Sequence, residues 1–311
     1  MLFKRCQDRR NPGTTQTAAF HVEPLESRQM LAGDVDVVVR GLDVFIYGDS
    51  SDNSIVLSDN DGILDVGQAE GDSTNINGGN TGLAIGDVRN LVIYLRAGND
   101  HLDVDAVAPT DDLRIYGGTG DDSIRSGGTG NSAMLSGGAG NDELLLSGEF
   151  GHSVTLRGRG GNDELSVRGA VGGSLKLNGG NGNDGLMIEG STMEESEIRA
   201  GAGRDSVSIF EVNATGQMKV MTGAGDDQMD LFSVQPSAAN HFEGGAEILM
   251  GAGNDSFRYT GGFFGRDPVT IGEGNIFSLD GGRGLDTNDD PFSILTGDQF
   301  EISGFDLIPL S

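Results

Sequence analysis

The sequence predicts an all-β fold, a parallel β-roll or β-helix solenoid with coils of about 21 residues and strand-rich caps at both ends. Three observations carry this: glycines recur at fixed offsets, an aspartate follows each glycine pair at a constant distance, and apolar residues keep register with that aspartate on both sides.

Glycine is the compositional anomaly. The 311 residues include 53 glycines against 7 prolines, without the strict triplet period of collagen. Only 36% of the chain is hydrophobic and it contains no Trp, so a thick conventional core is excluded and a thin repetitive one is favoured.

Aspartates stand at 100, 122, 142, 163, 184, 205, 227, 255 and 286, at steps of 22, 20, 21, 21, 21, 22, 28 and 31 residues. Each has a glycine two residues earlier, namely Gly98, Gly120, Gly140, Gly161, Gly182, Gly203, Gly225, Gly253 and Gly284. Seven positions before the aspartate stand Ile93, Ile115, Leu135, Leu156, Leu177, Ile198, Val220, Ile248 and Leu279. Two after it stand Leu102, Ile124, Leu144, Leu165, Leu186, Val207, Met229 and Phe257, and the alternation continues four after it in most coils. Period two on both sides of a glycine-rich turn means strand, turn, strand, with one face inward. Halfway round the central coils, Gly130-Asn131-Ser132, Gly151-His152-Ser153 and Gly172-Gly173-Ser174 repeat the turn form with serine for aspartate, which predicts a second, carboxylate-free turn column.

The repeat places a solenoid over residues 87–290. Residues 34–86 change to alternating segments such as Val35–Val39 and Val44–Tyr47 and are expected to form a β-rich N-terminal cap over the open coil end. Asn288 breaks the apolar register, so the coils are expected to stop there, with residues 291–311 as a C-terminal cap. Half of the 14 phenylalanines lie beyond residue 256 and are read as packing of that end.

Residues 1–33 form a leader. Lys4, Arg5, Arg9 and Arg10 make its start basic, but 11–19 lack the apolar stretch of an ordinary signal peptide. The segment Phe20-His21-Val22-Glu23-Pro24-Leu25-Glu26-Ser27-Arg28-Gln29-Met30-Leu31 resembles the LEPR-type N-terminal segment of bacterial exported and surface proteins, with Ser27 in place of its proline. That resemblance implies export, to an extracellular or cell-surface location.

The formal charge is −28, which argues against nucleic acid or an anionic membrane as partner and makes cations the natural counterpart. Cys6 is the only cysteine, so neither an internal disulfide nor a cysteine zinc site is available. No run of about 18 apolar residues occurs, so no membrane span is expected.

Gly117-Gly118-Thr119-Gly120-Asp121-Asp122-Ser123-Ile124 fits the pattern G-G-x-G-x-D-x-U, as do the stretches from Gly137 to Leu144 and from Gly179 to Leu186. In this the chain resembles the RTX, or haemolysin-type, calcium-binding repeats. The resemblance implies several Ca²⁺ ions along one turn column, each between successive coils, held by Asp100, Gly118, Gly120, Asp122, Gly138, Gly140, Asp142, Gly161, Asp163, Gly180, Gly182, Asp184, Gly203, Asp205, Gly225, Asp227, Gly253, Asp255, Gly284 and Asp286. The chemistry is apt, since glycines let the turn wind tightly and hard oxygen donors suit Ca²⁺, which takes six to eight of them. Stacked aspartates about 4.8 Å apart would repel by about 0.9 kcal/mol in water and about 3.5 kcal/mol at an effective dielectric of 20. Divalent cations would relieve that repulsion. The sequence departs from the family in two ways. Arg96 and Arg159 replace the second glycine in their turns, and the full motif comes once per coil instead of every nine residues, so the serine side is expected to hold no metal.

These readings converge on an extracellular calcium-binding repeat protein, structural or adhesive at the cell surface, with extracellular polysaccharide or a cell-surface protein as possible partner. The alternative is a calcium-dependent polysaccharide lyase, since β-helices house such enzymes. Its basic candidates Arg125, Arg157, Arg168 and Arg199, like His101, His152 and His241, share no motif that would gather them in a cleft, so a non-enzymatic protein is expected.

Overall fold

The computed structural model describes residues 34–105, 107, 109–232, 240–260, 270–271, 277–283, 287–288 and 300–303. Nearly all of the described chain is strand and turn, wound as a parallel β-solenoid. One coil shows the plan: strand Asp112–Thr119, a tight turn ending at Asp122, strand Ser123–Ser126, a looser turn, and then strand Gly130–Ala139, which lies directly on Asp112–Thr119. Strands that precede the aspartate form one sheet of thirteen, and strands that follow it form the other. We call these the pre-turn and post-turn sheets.

Parallel pairing in register turns the sequence period into axial columns. Ile115, Leu135, Leu156, Leu177, Ile198, Val220 and Ile248 are successive partners in the pre-turn sheet. Ile124, Leu144, Leu165, Leu186, Val207, Met229 and Phe257 are partners in the post-turn sheet. All of these side chains are buried. The core is therefore two facing sets of apolar ridges, one residue per coil per ridge. Burying each such side chain is worth about 1.5–3 kcal/mol, and a single coil cannot do it alone.

The ends differ from the middle. Asp34–Arg40 and Asp43–Tyr47 form an antiparallel hairpin that continues the pre-turn sheet, and Ser54–Asn60 with Ile63–Gly67 forms another that continues the post-turn sheet. The second hairpin turns at Asp61 and Gly62, both at positive φ, as a two-residue loop requires. Reversing strand direction ends the parallel stacking, which is what a cap must do. At the other end Thr287–Asn288 still pairs with Ser256–Thr260, and Phe300–Ser303 adds a further strand to the pre-turn sheet. Asn288 is thus the last described rung of the post-turn sheet, one rung before the pre-turn sheet stops. Leader residues 1–33, most of the C-terminal segment 291–311, and Phe263, Phe264, Phe292 and Phe305 lie outside the described residues. No described helix is long and apolar enough to cross a membrane.

One expectation needs correction. The serines of the halfway motif do not occupy a turn. Ser132, Ser153 and Ser174 are register partners inside pre-turn strands, with Ser153 Oγ donating to Ser132 Oγ at 3.2 Å, and the far turn lies just before them. In two coils the strand starts early and already contains Gly130 or Gly151, whereas Gly172 and Gly173 form a bend and Ser174 is the first residue of its strand.

Candidate functional site

The turn column is built by two side-chain ladders that run in opposite directions. The amide of each column aspartate donates to the carboxylate Oδ1 of the next coil's aspartate. The chain of bonds runs Asp100 to Asp122, Asp142, Asp163, Asp184, Asp205, Asp227 and Asp255, at 2.8–2.9 Å. One residue earlier the direction reverses. The amides of Asp121, Asn141, Asn162, Asn183 and Arg204 each donate to the side-chain Oδ1 of the preceding coil, at 2.6–2.8 Å. The inner ladder is buried and the outer one is exposed.

Glycine is needed here for two separate reasons. Gly118 and Gly120 have φ of 126° and 118°, which side chains rarely adopt. Independently, a Cβ on Gly118 would run into the Arg96 carbonyl, and one on Gly120 into the Gly98 carbonyl. The same approach repeats up the column, so the carbonyls of these positions point along the axis at the next turn's glycine, as weak Cα–H contacts. Arg96 and Arg159 hold the equivalent position at φ of 83° and 90°. Arg159 Nε donates to Ser136 Oγ at 2.8 Å and the Arg96 guanidinium lies over the Tyr47 ring, contacts that offset part of the backbone cost.

The second carboxylate oxygen is the unusual atom. Asp100, Asp122, Asp142, Asp163, Asp184 and Asp205 are buried, and in each Oδ2 has no hydrogen-bond partner among the described residues. In Asp122, Asp142, Asp163 and Asp184 it lies against the first glycine of its own turn: a Cβ on Gly117, Gly137, Gly158 or Gly179 would collide with it. At Gly117 the carbonyl oxygen of Gly137, from the next coil, lies 2.6 Å from the same point, and at Gly179 the Ala200 carbonyl does so at 2.6 Å. Two oxygens therefore converge inside each of these turns. Burial pushes Asp122, Asp142, Asp163, Asp184 and Asp205 up to about 6 and Asp100 up to about 7, although the amide each accepts pulls the other way. Asp227 is raised for the same reason.

A buried carboxylate oxygen without a donor is costly, and a proton or a cation in the turn would relieve that cost. The donor set, all oxygen and mostly main chain, suits a hard cation and offers nothing to zinc. No three His, Cys, Asp or Glu side chains converge among the described residues, so any cation held in a turn would draw its remaining ligands from carbonyls.

The structure brings Asp100 through Asp255 into one column together with Gly118, Gly120, Gly138, Gly140, Gly161, Gly180, Gly182, Gly203, Gly225 and Gly253. Gly284 and Asp286 lie outside the described residues. It also adds a rung that the sequence reading missed. Asn53 donates its amide to Asp100 Oδ1 at 2.7 Å and occupies the aspartate position of the turn from Gly48. Its Oδ1 accepts the Asp49 amide at 3.2 Å, while Nδ2 donates to Asp49 Oδ1 at 3.1 Å and to the Ser51 carbonyl. The signal was present: Ile46 lies seven before Asn53, Ile55 two after and Leu57 four after. Asn for Asp, and the absence of the two inner glycines, concealed it. Asn53 is the first rung of the column among the described residues, and its neutral carboxamide finds its own acceptors.

Set against known protein families, curated proteins and solved structures, the chain has no match in any of the three comparisons.

Proposed function

We propose that this protein is a calcium-stabilised extracellular rod, structural or adhesive at the cell surface, with Ca²⁺ held along the aspartate column. The observation that carries the reading is the series of buried Oδ2 atoms without a partner from Asp100 to Asp205, of which those of Asp122, Asp142, Asp163 and Asp184 lie against the first glycine of their own turn. Asp122, Asp142, Asp163 and Asp184 would hold the ions through Oδ2, joined by carbonyls such as those of Gly137 and Ala200. Bound calcium would supply the positive charge that this row of carboxylates lacks, and nothing in the reading calls for a catalytic step. Location at the surface rests on the LEPR-like leader and on the acidity of the chain.

Circular dichroism and thermal melts in chelator and in millimolar calcium test it. A ligand that binds only the folded chain raises stability with its concentration, by about 2.7 kcal/mol at a hundred times its dissociation constant. A large rise in Tm at neutral pH is expected. Identical strand content and Tm in both buffers overturns the calcium assignment while leaving the fold in place.

A further inference from the structure

Over the central coils the outward face of the pre-turn sheet carries more cations than carboxylates, with Arg114, Arg157, Lys176, Arg199 and Lys219 against Asp112, Glu195 and Glu197. In a chain of formal charge −28, one axial row there reads Tyr47, Tyr94, Tyr116, Ser136, Arg157, Asn178, Arg199, all register partners. The tyrosines stack with centroids 5.6 and 4.9 Å apart. The adjoining row adds Lys176 and Lys219, with Glu197 between them and Glu247 beyond. Arg157, Lys176, Asn178, Glu197 and Arg199 line a shallow hollow of about 180 Å³. Its single carboxylate, Glu197, is held by Arg199 and lies 3.8 Å from Lys176. The Arg157 guanidinium and the Asn178 amide are exposed, and neither makes a hydrogen bond or ion pair among the described residues.

We propose that this face binds a linear carboxylated polysaccharide lying along the solenoid axis, with Arg157, Lys176 and Arg199 pairing to its carboxylates and Asn178, Tyr94 and Tyr116 bonding its hydroxyls. Three features select this partner. The face is flat and straight, so an extended polymer can follow it across several coils. Arg157 and Arg199 stand two coils apart, with Lys176 of the adjoining row on the coil between them, so one cation falls on each coil at a spacing of about 4.8 Å, a step comparable to one sugar ring. A duplex nucleic acid carries one charge per about 1.7 Å, a far denser charge that the surrounding acidic surface would repel more strongly. Arginine also suits planar carboxylates better than an isolated ammonium group does. The inference names the partner of the rod proposed above but requires only the stacked coils, so it can fail while the calcium assignment survives, and the reverse.

Affinity electrophoresis tests it, with the protein kept in the buffer in which circular dichroism shows it folded. Wild type should be retarded by polygalacturonate and not by its methyl-esterified, uncharged form, and the retardation should weaken with salt. The variant R157Q/K176Q/R199Q should lose roughly tenfold or more in affinity. R157Q alone, which breaks no contact within the fold, should lose about two- to threefold. Unchanged retardation of both variants, or equal retardation of wild type by the esterified polymer, overturns the proposal. So does tighter binding of duplex DNA than of polygalacturonate in a parallel gel, or a sedimentation shift showing that a second copy of this chain takes the face instead.

Discussion

The two edges of the solenoid are made of the same chain and obey different rules. At the aspartate edge the described turns from Gly98 to Asp255 keep one length and the inner ladder throughout, and the outer ladder is interrupted at Arg204, whose side chain offers the Asp226 amide no acceptor. At the far edge the connections vary. The step from Asp227 to Asp255 is 28 residues against 21 between Asp142 and Asp163, and the added length falls between strand Gln228–Phe232 and strand Ala246–Ala252, on the far side. Along the aspartate edge the inner ladder matches each amide from Asp100 to Asp227 to a carboxylate one coil away, so an inserted residue would break several bonds at once. The far edge has no side-chain ladder through all its coils; its close contacts are local, Gly128, Gly148 and Gly169 in the central coils and the paired strands Asn213–Ala214, His241–Phe242 and Thr270–Ile271 in the later ones, and between them added loop length costs little.

Glycine substitution should produce the largest contrast between the edges. Gly182 has φ of 124° and a Cβ there would collide with the Gly161 carbonyl, whereas Gly151 at the far edge has nothing nearer than 3.8 Å. G182A is expected to lower unfolding stability by about 3 kcal/mol or more. G151A should change it by less than about 0.5 kcal/mol. Urea denaturation of both variants reads the difference, and equal losses would dissolve the distinction.

The next effect is one of pH. The column aspartates have folded-state values raised to about 6, and to about 7 at Asp100, above the ordinary 3.8. A raised value means that the contribution to stability is complete below about pH 4 and is lost as pH rises through 6 to 7. In chelator, Tm should therefore fall between pH 4 and pH 8. Calcium, which competes with protons for the carboxylates, should have its greatest effect at the upper end. D163N sharpens this. A carboxamide keeps an acceptor for the Asp142 amide and carries no charge, so the variant should be more stable than wild type in chelator at pH 8 and gain less from calcium. A flat pH profile in chelator would show that the buried oxygens are neither charged nor in need of a partner.

The smallest expected effect tests the strain within the aspartate edge itself. Arg159 sits at φ of 90°, where most equivalent coils have glycine. R159G should stabilise by about 1 kcal/mol, less whatever its bond to Ser136 contributes. A melt showing clear destabilisation would mean that the side-chain contact outweighs the backbone cost.

Much of this was readable from residues in order. The apolar register around Asp142, with Leu135 seven before and Leu144 two after, is the signature of two strands joined by a turn, and both side chains are buried where that reading puts them. Asn53 was legible by the same register and was hidden only by its missing glycines and its amide. The halfway serines show the limit: Gly130-Asn131-Ser132 resembles a turn in composition, yet it starts a strand because its backbone is free to pair with Asp111 and Phe150.

Sequence alone determined the period, the identity of the column residues and the inward set of apolar side chains, because these depend on spacing along one chain and on backbone sterics. Tertiary structure decided what each oxygen does. Asp122 has two chemically equal carboxylate oxygens, and only the coil stacked upon it assigns one to the Asp100 amide and leaves the other enclosed beside the Gly137 carbonyl. The same stacking gathered Arg157, Lys176 and Arg199, which are 19 and 23 residues apart in the chain, onto one face. Contacts between coils are made by residues distant in sequence, and their direction depends on the rise and register of neighbouring strands, which no single repeat encodes.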